Sequence, residues 1–207
     1  MAHKSKLGRN YSEKEKRLTS SIHEPSASET CLLIIDMVNA FTFPDAEQLL
    51  PAAVCAATNI AKLKERAVRA AVPTIYVNDN FGQWRHDLRS LVDHCLEPSC
   101  RGQAIVKLLR PHKEDYFVLK PKHSGFFATP LELLLKYLRA RHLVITGVAG
   151  NSCVLYTAAD AYMRDFSVSV PEDCTASFDD PSNQRALEHM HSTLKADIRS
   201  SARLEFP

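Results

Sequence analysis

One segment near the start of the chain, CLLIID at residues 31–36, constrains the fold more than any other. It holds five consecutive apolar side chains, so a strand formed here places apolar side chains on both of its faces. Strands of that kind occur in parallel sheets whose two faces are covered by helices, whereas a strand with one wet face alternates apolar and polar residues. The segment therefore predicts a sheet buried between two helical layers.

Segments typical of strands and helices alternate along the rest of the chain. The predicted strands are residues 31–36, 73–79, 116–120, 142–148 and 166–173, with a short strand near Ile198. The predicted helices are residues 51–70, 105–109, 129–140, 151–165 and 181–196, and residues 81–101 are predicted to be irregular. This alternation predicts an α/β fold, a three-layer α/β/α sandwich with a mostly parallel, Rossmann-like sheet of about six strands.

Composition narrows the classes of function. The chain has 207 residues with 26 basic and 24 acidic side chains, a balance that argues against nucleic acid as the main partner. No apolar run approaches the ~18–20 residues that span a bilayer, and the polar, basic N-terminus lacks the apolar core of a secretory signal. The six cysteines include no Cys-x-x-Cys pair, so we expect free thiols and a cytoplasmic protein that binds neither nucleic acid nor membrane.

The chain divides into two regions by composition. Residues 1–28 are rich in Lys, Glu and Ser and lack apolar periodicity, so they are predicted to form a polar N-terminal tail. No repeat or linker follows, and residues 29–207 are predicted to form one domain.

Residues capable of chemistry stand at the carboxyl ends of the predicted strands, where ligands bind in parallel sheets. This rule selects Asp36, Asp79, Lys120 and the segment GVAGNSC at residues 147–153. Each residue taken alone is as well explained by a loop, a helix cap or, for Cys153, a small core side chain. Their placement at one edge of the sheet favours a functional site.

Physical chemistry suggests a role for each group. Cys153 follows a predicted strand in the first turn of a predicted helix, where unpaired N–H groups and the helix dipole lower the pKa of a thiol and favour a nucleophile. Asp36 ends a buried strand, so we expect burial to raise the pKa of its carboxyl and suit it to accept a thiol proton. Lys120 beside these groups would stabilise their charged forms.

The order Asp36, Lys120, Cys153 on successive strand ends resembles the isochorismatase-like cysteine hydrolases, a family that includes isochorismatases, nicotinamidases and N-carbamoylsarcosine amidases. The resemblance runs from about residue 30 to residue 200 and is carried by three segments. These are LLIIDMVNAF at residues 32–41, LKPKHSGFFATPLELLL at residues 119–135 and VITGVAGNSCVLYTAADAYMRDFSVSVPEDCTAS at residues 144–177.

The resemblance implies a catalytic triad of Asp36, Lys120 and Cys153. Lys122 is the competing lysine, but Lys120 ends the predicted strand and stands four residues before Ser124, as the family pattern requires.

The resemblance also implies a cis peptide bond between Val148 and Ala149. The backbone N–H groups of Ala149 and Cys153 would then form an oxyanion hole.

Three functions remain open. The first is hydrolysis of a small amide or ureido substrate through a thioester on Cys153. The second is hydrolysis of a vinyl ether, as in isochorismatase proper, and the third is a scaffold that keeps the fold without turnover. Because the family commonly forms dimers or tetramers, the resemblance also implies a homo-oligomer.

Nicotinamidases of this family bind a metal through an Asp-x-His pair and a further His. Here Asp79 is followed two residues later by Phe81, and His86 and His94 do not restore that spacing. We therefore predict no metal and no cofactor.

The loops after the second and third strands are predicted to line the substrate pocket, because strand-end loops carry specificity in such folds. The candidates are Asn80, Gln83, Trp84 and Phe126. The alternative is that these side chains pack the loops onto the body of the protein or onto another subunit.

Overall fold

The computed structural model of the chain describes residues 28–79 and 88–206. Six strands form one sheet: β1 (Thr30–Ile35), β2 (Thr74–Asp79), β3 (Tyr116–Lys120), β4 (His142–Val148), β5 (Ser167–Ser169) and β6 (Thr175–Ala176). The described helices are α1 (Ala46–Arg69), α2 (Leu88–Cys95), α3 (Gln103–Leu108), α4 (Leu131–Tyr137), α5 (Leu155–Tyr162) and α6 (Asp180–Leu194).

The sheet has the strand order β3-β2-β1-β4-β5, and β6 pairs with the carboxyl end of β4. Every strand pair is parallel. The three inner strands, β2, β1 and β4, therefore each pair on both sides, and near-continuous apolar strands are typical of this position. The predicted α/β class, strand number and parallel arrangement are confirmed.

The apolar run in β1 supplies both cores. Leu32 and Ile34 pack in the layer formed with α1, α2 and α3, while Leu33 and Ile35 pack in the layer formed with α4, α5 and α6. Successive side chains of a strand point to opposite faces, so one strand contributes to both layers. The helices on either side complete the predicted three-layer sandwich.

The last part of the sheet departs from the prediction. A single strand over residues 166–173 is replaced by β5, a 3-10 turn at Glu172–Cys174 and the two-residue β6. The backbone after β5 pairs instead with the C-terminal segment, since the N–H of Val170 donates to the Asp197 carbonyl at 2.8 Å. Pro171 follows with no N–H to donate to a ladder. The strand predicted near Ile198 is a single parallel bridge between Ser169 and Asp197.

A helix, α2, lies inside the segment predicted to be irregular. Its apolar residues Leu91, Val92 and Cys95 are spaced to share one helix face, and Val92 and Cys95 are buried in the core. The polar and charged residues between them make this apolar spacing hard to recognise in the sequence. Residues 80–87 of the same segment lie outside the described residues.

The start of the described chain joins the sheet directly. The carbonyl of Glu29 accepts hydrogen bonds from the N–H groups of Arg141 (2.7 Å) and His142 (3.0 Å). Only Ser28 of the predicted tail is described, so the division into tail and domain stays a prediction. Across the described ranges, no helix combines the length and apolar character of a membrane span.

Gly147 lets β1 and β4 approach closely just before their carboxyl ends. It pairs with Ile35 and has a φ of 112°, and a Cβ at this position would lie 2.1 Å from the Ile35 carbonyl oxygen. Residues that carry a side chain rarely adopt this backbone conformation, and a Cβ atom cannot share the space of a carbonyl oxygen. Asp36 follows Ile35 and Val148 follows Gly147. The close approach at Gly147 therefore positions the two strand ends at which the site forms.

Replacing Gly147 with alanine should lower the free energy of unfolding by at least about 2 kcal/mol, because strain and overpacking act together. Urea denaturation followed by circular dichroism measures this change. A loss below about 0.5 kcal/mol would show that the two strands separate at little cost.

Candidate active site

Three neighbouring strands bring charged side chains to one edge of the sheet. Asp36 directly follows β1, Asp79 is the last residue of β2, and Lys120 is the last residue of β3. Asp79 and Lys120 stand opposite each other in the pairing of β2 with β3. The parallel register therefore places these groups side by side, as the strand-end rule predicts.

Asp36 is held in place by its backbone and by two donors. It has a left-handed φ of 53°, a conformation that aspartate tolerates better than most residues, and it is 6% exposed. Its Oδ1 accepts the Asp79 N–H at 2.6 Å, and its Oδ2 lies 2.8 Å from Lys120 Nζ. Both carboxylate oxygens are thus oriented by neighbouring strands.

Lys120 is fully buried and lies between three partners. Besides Asp36, its Nζ is 3.6 Å from Asp79 Oδ2 and donates a hydrogen bond to Cys153 Sγ at 3.4 Å. Lys122, the competing lysine, is exposed. The structure therefore brings Asp36, Lys120 and Cys153 together, as the sequence predicts.

Cys153 lies in a π-helical turn, Gly150–Val154, that connects β4 to α5. The N–H of Val154 donates to the Ala149 carbonyl at 3.2 Å, which closes this wide turn. The cysteine therefore precedes the α-helix, whereas the sequence placed it in the helix's first turn.

The thiol is protonated at rest. Burial first, and then the Asp36 carboxylate, raise the pKa of Cys153 to about 12, and the Lys120 ammonium only partly opposes these effects. The expectation of a lowered pKa is wrong, because removal of the sulfur from water outweighs the positive charge beside it. The nucleophile would need a base at the moment of reaction.

The carboxyl of Asp36 has the property of such a base. Burial raises its pKa above the ordinary value, although hydrogen bonds from Lys120, Cys153 and the Asp79 N–H oppose this. The predicted direction is therefore confirmed. For Lys120, burial is the largest effect and lowers the pKa of the ammonium, but the Asp36 carboxylate, the Cys153 sulfur and the Asp79 carboxylate together outweigh burial and raise the pKa, so this lysine stays charged.

A cavity of about 450 Å³ opens beside these groups. Its lining residues in the described chain combine polar groups with apolar walls: Asp36, Asn39, Phe43, Leu49, Asp79, His123, Val148, Ala149, Asn151, Ser152, Cys153 and Phe178. Phe43 and Phe178 meet edge to face with ring centroids 6.2 Å apart. The size suits a small molecule, and the thiol faces the same space as the carboxylates.

Both residues of the predicted oxyanion hole, Ala149 and Cys153, line this cavity. The peptide bond between Val148 and Ala149 is cis.

Of the residues predicted to bind substrate, only Phe126 belongs to the described chain. Asn80, Gln83 and Trp84 lie outside the described residues. Phe126 is 6% exposed and packs in the core, with its ring centroid 6.2 Å from that of Phe166. This corrects the prediction for Phe126.

The preceding glycine explains the position of Phe126. The N–H of Gly125 donates to the buried hydroxyl of Thr157 at 3.0 Å, which ties this turn to α5. The side chain that follows is thereby directed into the helical layer, away from the cavity.

The polar neighbour of the thiol on its open side is His123, which sequence reasoning places in the loop after Lys120 without giving it a chemical role. Nδ1 of His123 lies 3.7 Å from Cys153 Sγ and 3.4 Å from Ser152 Oγ. The available signal was its position three residues after Lys120, in the same strand-end loop. Of the histidines considered as metal ligands, His86 is outside the described residues, and His94 is exposed with Nδ1 3.6 Å from Glu97 Oε1.

The described part of the chain contains no group of three or more His, Cys, Asp or Glu side chains arranged to hold a metal ion. The predictions of no metal and no cofactor remain predictions.

The fold and the site define a three-layer α/β protein in which the ends of parallel strands bring carboxylates, an ammonium group and a thiol together at one edge of the sheet. The model of the isochorismatase domain family matches residues 30–202 of the chain. The chain therefore belongs to the isochorismatase family, and it is a hydrolase.

Two relatives align with most of this chain. The isochorismatase family protein YaaI of Bacillus subtilis is 41% identical over 179 residues, which cover 86% of this chain and 98% of YaaI. The ureidoacrylate amidohydrolase RutB of Azorhizobium caulinodans is 28% identical over 176 residues, covering 72% of this chain and 77% of RutB.

A solved structure agrees with the fold. The N-carbamoylsarcosine amidase of Thermoplasma acidophilum superposes with a TM-score of 0.66 and is 26% identical, covering 85% of this chain and 98% of its own.

The resting thiol should be slow to alkylate at neutral pH. A thiol with a pKa of about 12 ionises only as the pH rises toward that value. Below the pKa, its labelling rate should therefore rise about tenfold per pH unit. Iodoacetamide labelling at several pH values, followed by peptide mass mapping, measures Cys153 separately from the exposed Cys55 on α1.

At about pH 7 we expect Cys55 to react before Cys153, because exposed thiols ionise more readily than buried ones. A labelling rate at Cys153 that reaches a plateau below about pH 8 would show an ionised thiol and contradict this assignment.

Proposed function

We propose that this chain hydrolyses the C–N bond of a small amide or ureido compound through a thioester on Cys153. The observation that carries the proposal is the contact among Asp36, Lys120 and Cys153 beside one cavity. RutB and the N-carbamoylsarcosine amidase, by their names, cleave bonds of this class, and their similarity to the chain supports the same chemistry.

The first step is activation of the thiol. Asp36 takes the proton of Cys153 as the sulfur attacks the substrate carbonyl, and its raised pKa makes it a stronger base than an ordinary carboxylate. Lys120 stays charged throughout and donates to the sulfur, so it stabilises the thiolate as it forms. A protonated resting thiol fits this order of events, because the proton moves only when substrate is present.

The second step is stabilisation of the charge on the substrate oxygen. The N–H groups of Ala149 and Cys153 form the oxyanion hole, where one such donor contributes about 3–4 kcal/mol to transition-state binding. The location of both residues on the cavity wall beside the sulfur supports this role.

The remaining steps release the products. The protonated Asp36 carboxyl returns its proton to the leaving amine or ammonia as the C–N bond breaks and the thioester remains on Cys153. Asp36, again ionised, then takes a proton from water as the water oxygen attacks the thioester; the C–S bond breaks, the acid product leaves, and Asp36 returns the proton to the Cys153 sulfur. Each proton taken by Asp36 is returned within the cycle.

The substrate class and the need for the sulfur are tested together. A panel of small primary amides, ureido acids and isochorismate is assayed for release of ammonia or pyruvate. We expect ammonia release, and Cys153→Ala should reduce it by at least about 10³-fold because the covalent intermediate cannot form.

Pyruvate release that survives Cys153→Ala would instead show vinyl-ether hydrolysis without the thiol. No turnover of any compound, together with no covalent adduct of a reactive amide on Cys153, would favour a scaffold.

Asp36 and Lys120 should act as one unit. Asp36→Asn removes the base and Lys120→Met removes the charge, while both substitutions keep the approximate side-chain volume. Each should slow turnover of the substrate found in the panel by about 10²–10⁴, and the double variant should be little slower than either single variant. Steady-state kinetics measures these rates, and circular dichroism confirms the fold.

Lys122→Met is the matched control, since Lys122 is exposed two residues away from the buried Lys120. Its turnover should stay within about threefold of the native rate. A full loss with Lys122→Met, or full activity with Asp36→Asn, would overturn the assignment.

A further inference from the structure

The Cys153 sulfur has polar neighbours on two opposite sides. On the buried side Lys120 Nζ donates to it from 3.4 Å, and this lysine is inaccessible to solvent. On the open side Nδ1 of His123 lies 3.7 Å away, and His123 is exposed at the cavity wall. The proposed mechanism uses only the buried neighbour.

The imidazole of His123 is held in this position by contacts on its face and its edge. Its ring stacks on that of Tyr156 with centroids 5.7 Å apart and an interplanar angle of 18°. Its Nδ1 also lies 3.4 Å from Ser152 Oγ. Tyr156 and Ser152 belong to the turn and helix that carry Cys153, so the ring and the sulfur are positioned by the same segment.

The loop that carries the imidazole is anchored to that segment as well. Ser124 Oγ donates to Asp160 Oδ2 at 2.5 Å, and Gly125 N–H donates to Thr157 Oγ1 at 3.0 Å. Thr157 Oγ1 in turn donates to the Cys153 carbonyl at 2.6 Å. The distance between the imidazole and the sulfur is therefore set by a chain of short hydrogen bonds.

We propose that His123 is a further catalytic residue, whose Nδ1–H donates a hydrogen bond to the Cys153 thiolate from the solvent side of the cavity. The inference rests on the proposed function, in which this thiolate forms. The geometry matches a resting contact: 3.7 Å to a neutral sulfur is long, and a negative charge on the sulfur shortens and strengthens such a bond.

A second hydrogen-bond donor would lower the cost of placing a negative charge on the Cys153 sulfur. Burial and the Asp36 carboxylate both oppose a negative charge on the sulfur, and Lys120 divides its donors between that sulfur and Asp36. A histidine with a proton on Nδ1 donates in its neutral form as well as its charged form. His123 can therefore stabilise the thiolate without adding a permanent charge to the cavity.

Two substitutions distinguish a donor role of His123 from a purely structural role of its ring, because the two roles predict opposite orders of the labelling rates. His123→Phe keeps a flat ring for Tyr156 and removes the nitrogen. His123→Asn removes the ring and keeps an N–H donor near the position of Nδ1. His112→Phe is the control, because His112 is exposed before the start of β3, at the opposite edge of the sheet from Lys120.

The test is the second-order rate of iodoacetamide labelling at Cys153 in the full chain, at one fixed pH, read by peptide mass mapping. The donor role predicts that His123→Phe slows labelling by about 10- to 100-fold, the factor expected for a hydrogen bond to a charged group. His123→Asn and the control should stay within about threefold of the native rate. Circular dichroism verifies folding, and His123→Leu replaces the Phe variant if that variant does not fold.

Retention of the native rate in His123→Phe, or a larger loss in His123→Asn than in His123→Phe, would overturn the inference. Labelling needs no substrate, so this result is independent of the proposed reaction. If Cys153→Ala keeps amide turnover, the proposed function fails, whereas the labelling rates still decide whether His123 supports the thiolate. Where turnover is measured, kcat of His123→Phe should fall by the same factor as the labelling rate, with KM little changed.

Discussion

The buried ion pair between Lys120 and Asp36 is the interaction on which the site depends. Lys120 carries a charge with no solvent contact, and its Nζ lies 2.8 Å from the Asp36 carboxylate. An isolated ammonium at such a position would lose its proton, so the carboxylates of Asp36 and Asp79 are what keep it charged. The pair also joins the ends of non-adjacent strands, β1 and β3, across the end of β2.

The same burial sets the protonation state of the Cys153 thiol. A thiol held beside a carboxylate and away from water keeps its proton until another group removes it, so the site is not a preformed ion pair of thiolate and cation. This arrangement limits wasteful reactions of the sulfur with solutes, since the thiolate is the reactive form. It also makes the donors around the sulfur matter, because each one lowers the cost of forming the charge.

Hydrogen bonds connect the π-helical turn that carries Cys153 to the loop that follows Lys120. Thr157, one turn into the helix after Cys153, bonds both to the Cys153 carbonyl and to the Gly125 N–H. The loop between Lys120 and Gly125 thus begins at a buried charge and is hydrogen-bonded at its other end to the helix that follows Cys153. The positions of the loop and of the Cys153 backbone are therefore linked through the Thr157 hydroxyl.

The sequence by itself determined the class of fold and the placement of Asp36, Lys120 and Cys153 at strand ends, and the family resemblance selected these three residues as a triad. Five apolar residues before Asp36 require a strand buried on both faces, and charged or thiol groups at successive strand ends require a common edge. These features are local or periodic, so they can be recognised without knowing which segments touch. The direction of the Asp36 pKa shift followed from the same burial argument.

Only the tertiary structure decided what depends on contacts between distant segments. The pKa of Cys153 is set first by burial and then by Asp36, a residue more than a hundred positions away, and the thiol lies in a π-helical turn rather than in the α-helix that sequence reasoning invoked. Phe126 enters the core because Gly125 is bound to Thr157, and β5 ends early because its backbone pairs with Asp197. The position of His123 against the sulfur likewise arises from two loops meeting. Long-range packing, desolvation and hydrogen bonding carry no local signature in the chain, and these effects set the chemistry of this site.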